Sequence, residues 1–169
     1  MTGRGTTIVI VDSFGSPTIR NDLKVFDQTF GLPAPPKFTI IQPAGRVPAY
    51  DPNNSDMVGW AGETTLDVEY AHVIAPGANL LLVETPVSET EGVHGFPQIV
   101  KAEEYVIRHH LGDVISQSFS ATERTFPSRA SVQALRGAYQ LAAQDRVTVL
   151  AAAERSLYRT GLARALGTR

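Results

Sequence analysis

The chain contains no cysteine, which excludes disulfides, thiolate metal centres and a cysteine nucleophile, though it says nothing firm about compartment. Charge is also scarce: 19% of the 169 residues are charged, and the formal net charge is -2. No bulk basicity is present to recruit nucleic acid or an anionic membrane, so neither is expected as a partner. Long apolar runs are missing too. Nothing approaches the length of a membrane span, and Thr7–Val11 is too short for the apolar core of a signal peptide. Any export signal is expected upstream of Met1. There is no internal repeat and no low-complexity linker. What is present is 43% hydrophobic residues, an ordinary content for one globular domain able to bury a real core.

Five short apolar runs, Thr7–Val11, Phe38–Gln42, Asn79–Glu84, Val114–Ser118 and Val147–Ala152, show no polar alternation, the pattern of strands covered on both faces. Amphipathic stretches separate them. The first has Ser16 as N-cap, Pro17 at its first position and Gly31 as its stop, with Ile19, Leu23, Phe26 and Phe30 on one face. The second is expected from about Trp60 to Ile74, stopped by Pro76-Gly77; the third covers Phe96 to Leu111; the fourth begins after Ser128. Residues 43–59 read as an irregular excursion. This alternation predicts an α/β fold: a doubly wound, mainly parallel five-stranded sheet with helices on both faces. Functional groups in such sheets gather at the carboxyl ends of the strands.

Glu63 and Asp67 stand four residues apart in the second helix, so both carboxylates fall on one face. Close carboxylates cannot both ionise freely, and such a pair supplies a proton acceptor and donor in acid. By spacing alone, two solvated acids on an exposed face are the favoured reading. Asp12 ends the first strand, where it is either part of an acidic network or a turn-forming residue bonding the Ser13–Gly15 backbone. Ser116, Ser118 and Ser120 cluster at another strand end, as backbone-capping serines or as a nucleophile source. His72, His94 and the adjacent pair His109-His110 lie too far apart in face and position to suggest metal ligation.

The stretch Gly59–Glu84, with Gly-Glu63-Thr-Thr-Leu-Asp67 at its centre, resembles the signature helix and strand of the sedolisins, serine-carboxyl peptidases of subtilisin-like fold. Gly3–Asp12 resembles their first strand, Phe26–Pro33 the following helix end, Val114–Phe119 their substrate-lining strand, and Val147–Ala153 the strand before their oxyanion residue. The resemblance implies a partial subtilisin-like fold over residues 1–153 and a serine-type endopeptidase acting on peptides or proteins at acidic pH. It implies an extracellular setting for the family. It makes Glu63 the general base toward serine, Asp67 its orienting partner and Asp12 a candidate extension of that network. It places Ser116, Ser118, Phe119 and Ser120 along the substrate cleft, with a serine where the family has glycine at position 120.

Two essential parts have no counterpart. After Ala153 the chain reads Glu154-Arg155-Ser156 instead of the family's glycine-aspartate, and it ends Gly167-Thr168-Arg169 without a nucleophilic serine segment. The expectation is therefore a chain truncated before the oxyanion aspartate and the serine, inactive alone, and lacking the family's calcium site, so that no cofactor is called for. Residues 154–169 form a divergent basic tail with a balance of +3 from four arginines and one glutamate. They read as a small amphipathic helix or a non-native terminus. A catalytically dead peptide-binding module, or an inert gene fragment, is the alternative. A nucleotide-binding domain is disfavoured, because Asp12–Pro17 lacks both the dinucleotide glycine pattern and a phosphate-loop lysine.

Overall fold

A computed structural model describes residues 2–121 and 123–151. Its five strands are β1 (Thr7–Ser13), β2 (Phe38–Ile41), β3 (Asn79–Thr85), β4 (Val114–Gln117) and β5 (Thr148–Ala151). They lie in the order β2-β3-β1-β4-β5, and each of the four pairings is parallel. The helices are α1 (Ile19–Phe30), α2 (Ser55–Ile74), α3 (Phe96–Arg108), α4 (Arg129–Ala134) and α5 (Arg136–Asp145). Every expected strand is present.

The unbroken apolar runs have the expected cause, since each face of the sheet carries its own core. On one side Ile10, Leu80 and Leu82 pack with Ile19 and Leu23 of α1 and Val68 of α2. On the other, Val9, Val11, Leu81, Val83 and Ile115 meet Ile99, Ala102, Val106 and Ile107 of α3 and Ala138 and Ala142 of α5. Alternation along β1 sends successive side chains to opposite cores.

Helix starts differ from expectation at two places. Ser16 and Pro17 do not open α1; Phe14 and Gly15 take left-handed φ of 59° and 73°, and this turn uses up the next residues before Ile19. Thr18 stands at the N-cap, but its side chain accepts from no backbone N–H; its hydroxyl donates to Asp22 Oδ2 at 2.6 Å. At the other end Gly31 closes the helix with φ 67°, as expected of a left-handed cap. Phe30, placed on the apolar face, is exposed at 63% and stacks on Phe26 with ring centroids 4.7 Å apart.

The second departure is larger. α2 begins at Ser55, inside the segment read as irregular, because Asn54 accepts from the backbone N–H groups of Asp56 and Met57. The stop at Ile74 agrees. α3 ends at Arg108 rather than Leu111, with His110 at φ 50° turning the chain away. The fourth helix is two, divided at Leu135. The basic tail, together with Glu154, lies outside the described residues.

Candidate active site

α2 crosses the face of the sheet that carries Ile10 and Leu82, and it holds Glu63 and Asp67 half-buried on one side. Four residues of helix return a side chain to nearly the same direction, so the pair shares its surroundings. Asp67 reaches the strand ends: its Oδ1 accepts a hydrogen bond from Ser118 Oγ at 3.1 Å, while its Oδ2 is buried without a partner. Burial raises the Asp67 pKa and the Ser118 hydroxyl opposes that rise. Glu63 is also raised, first by burial, then by the negative charges of Asp67 and Glu89.

Asp12 lies deepest. It is 1% exposed and faces Glu84 across the β1–β3 pairing. Both of its carboxyl oxygens lack a hydrogen-bond partner, so the turn-forming alternative fails; a capping aspartate would accept from the Ser13–Gly15 backbone. Its pKa is raised well above the ordinary value, by burial first and then by Asp67, with Glu63 and Glu84 adding smaller pushes and the nearby Thr64 hydroxyl pulling the other way. The Thr64 hydroxyl is itself buried with no partner at hydrogen-bonding distance. Asp12 and Thr64, buried, and Asp67, half-buried, thus form an acidic cluster behind the more open Glu63.

The strand-end residues divide. Ser116 falls on the α2 side of β4 by alternation and is half-buried, and Ser120 is exposed. Ser118 joins the acidic group through Asp67. Phe119 does not face the cleft: it packs against the core under α3, with its ring edge-on to Phe96 at 5.8 Å. A large apolar ring set edge-on to a partly buried aromatic has more to gain there than at the rim.

Several participants escaped the sequence reading. Thr64 sits between the two recognised acids yet reads as an ordinary helical residue. Trp60 Nε1 donates to Ser88 Oγ at 3.3 Å and to Glu89 Oε2 at 3.1 Å, holding a further carboxylate beside Glu63; only the resemblance of the tryptophan-bearing stretch could have pointed there. Among the described residues no three histidines or carboxylates are arranged to hold a metal ion. No helix among them is long and apolar enough to cross a membrane.

No family model matches the chain. Over 152 residues, 89% of the chain, it is 29% identical to kumamolisin of Bacillus sp. (strain MN-32), and it spans 25% of that protein's length. The fold matches Pseudomonas sedolisin, a serine-carboxyl proteinase solved in complex with two molecules of pseudo-iodotyrostatin. That likeness has a TM-score of 0.69 at 22% identity and covers 89% of this chain and 39% of the other. By sequence along most of its length, and by the parallel sheet that carries the acidic helix, the chain is similar to the sedolisin-type serine-carboxyl peptidases in a portion of their length.

Proposed function

We propose that this chain carries the base side of an acid-adapted serine-carboxyl endopeptidase site, with Glu63 as general base and Asp67 as the residue that orients it. Asp12 extends the network and holds a shared proton away from water. The observation that carries this reading is the hydrogen bond from Ser118 to Asp67: it ties the acidic face of α2 to the strand that the family resemblance marks as substrate-lining. A carboxyl whose pKa is raised toward the working pH accepts a proton from an attacking alcohol better than an ordinary surface carboxylate does. Glu63, the more accessible of the pair, is the one a nucleophile can reach.

No residue of the chain is assigned as nucleophile, and the expected consequence is peptide engagement without turnover by this polypeptide alone. Peptides or proteins are the proposed ligands and an acidic, extracellular setting the proposed workplace, both by resemblance. The peptide-binding reading without catalysis has one observation in its favour. Asp67 Oδ1 is engaged by Ser118 and Asp67 Oδ2 has no partner, so among the described residues no hydrogen bond joins Asp67 to Glu63.

Incubating the purified chain with peptide substrates from about pH 3 to 7, where carboxyl pairs titrate, tests both. No cleavage is expected from the chain alone. Cleavage is expected when the carboxyl-terminal half of a relative is added in trans, and Glu63→Gln should abolish it. Turnover by the chain alone would overturn the assignment of inactivity, and its loss in Ser118→Ala would make Ser118 the nucleophile. Restored cleavage that survives Glu63→Gln would remove the relay.

A further inference from the structure

At the carboxyl ends of β1 and β3 a second recess of about 190 Å3 opens, lined by Phe14, Pro48, Tyr50 and Met57 with Gln42 and Glu84. The acid pair of α2 does not line it. Glu84 is 7% exposed, and its Oε2 accepts from Gln42 Nε2 at 2.8 Å. The other end of that amide is also occupied, since Gln42 Oε1 accepts from the Val47 backbone N–H at 3.1 Å. The carboxyl is therefore aimed by a side chain that is itself pinned.

Gly15 closes the recess from behind. A Cβ at that position would fall 2.1 Å from Glu84 Oε1, and its φ of +73° disfavours any other residue in any case. The left-handed pair Phe14-Gly15 leaves room for one particular carboxylate. No ion pair to Glu84 is present among the described residues. The neighbouring cation, Arg20, lowers the Glu84 pKa against the larger upward effect of burial. Its guanidinium is committed elsewhere, donating to Phe38 O at 3.3 Å and lying 5.1 Å from the Phe38 ring centroid.

A carboxylate at the base of a recess with proline, methionine and tyrosine walls suits a cation on an alkyl stem. The stem covers apolar surface, the cation meets the carboxylate, and an aromatic face adds to its attraction. The volume is smaller than a typical small-molecule site of ~300–1,000 Å3 and fits one side chain. Met57 precedes Glu63 by six residues, about 9 Å along a helix, the reach of two to three residues of extended peptide.

We propose that this recess is a specificity subsite for a lysine or arginine side chain of a bound peptide, with Glu84 as its counter-ion. The peptide context rests on the function proposed above; recognition of the amine by Glu84 stands apart from the relay. The test is amide NMR on the full chain at pH 7, titrated with N-acetyl-lysine methylamide and with the uncharged norleucine analogue. The lysine probe should shift the amides of Gly15, Val47 and Met57 and bind about tenfold more tightly than norleucine, as one charge-assisted contact provides. Glu84→Gln should remove that preference. Should this variant fail to fold, Pro48→Lys, at an exposed position, places a tethered amine at the mouth and should block the probe. Equal binding of both probes, no shift at those amides, or an unchanged preference in Glu84→Gln would overturn the subsite. Cleavage plays no part in the readout, so failure of the relay would leave it intact.

Discussion

Burial, more than the negative neighbour, raises each of Asp12, Glu63 and Asp67. The neighbours still leave a measurable signature. Asp67→Asn removes a like charge and should lower the pKa of Asp12 and Glu63 together, whereas Ser118→Ala removes the bond that favours the ionised form and should raise Asp67 further. Carboxyl-carbon NMR titration reads both directions; unchanged Glu63 in Asp67→Asn would mean the two acids do not share a field. Asp12 adds a stability term. Its folded pKa lies above the ordinary 3.8, so its contribution is fully present below that value and declines as pH rises toward the folded pKa. Urea unfolding of Asp12→Asn should lose that decline. At this scale the sequence showed the spacing of Glu63 and Asp67 but not the burial that distinguishes a network from two surface acids. Asp12 had two readings for the same reason.

Between elements, α1 and α2 are fastened by a buried polar contact. His72 Nε2 lies 2.8 Å from Pro33 O and 3.1 Å from Asp27 Oδ1. Replacing His72 by alanine leaves a cavity and strips partners from a carbonyl and a buried carboxyl, so a loss of about 2–4 kcal/mol is expected in urea unfolding. Gly15→Ala should cost about 1–3 kcal/mol through its left-handed backbone and the approach of Glu84. If the cost is nearer zero, the turn relaxes more freely than described. Strands were legible from their unbroken apolar runs. The start of α2 was not, because residues 43–59 mix proline, asparagine and glycine, and the single cap at Asn54 is drowned among them. Ser16-Pro17 misleads as a helix start for the opposite reason. Good capping chemistry was present, but the preceding turn consumed it.

Across the whole molecule, the side of the sheet remote from Glu63 holds a buried carboxyl of its own. Glu103 of α3 is 2% exposed and Gln117 of β4 is 1% exposed. Gln117 Nε2 donates to Glu103 Oε1, and Tyr139 of α5 donates to Gln117 Oε1 at 3.3 Å. Burial, with a smaller push from Glu104, drives the Glu103 pKa from 4.5 up to about 8. Between those values the folded chain keeps a proton that the unfolded chain has released. Stability from this group is therefore complete below 4.5 and is lost as pH rises toward about 8, by on the order of 4 kcal/mol for so buried a group. Glu103→Gln should unfold at a denaturant midpoint less dependent on pH over that window; an identical slope would rule the group out. The alternation of strand and helix predicted a parallel sheet, and the sedolisin resemblance its subtilisin-like architecture, but local periodicity could not state that β1 lies between β3 and β4.

Beside that central strand, Gln117 at the end of β4 and Ser118 just after it have different duties. Ser118 touches the acid of α2 and Gln117 touches the acid of α3, so one peptide unit separates two acidic compartments. Sliding β4 along β1 by a single residue would exchange them, thrusting an amide at Asp67 and a hydroxyl into the apolar layer beneath α5. The alignment Ile10↔Ser116 and Val11↔Gln117 is thus what keeps the chemistry of one side from being delivered to the other.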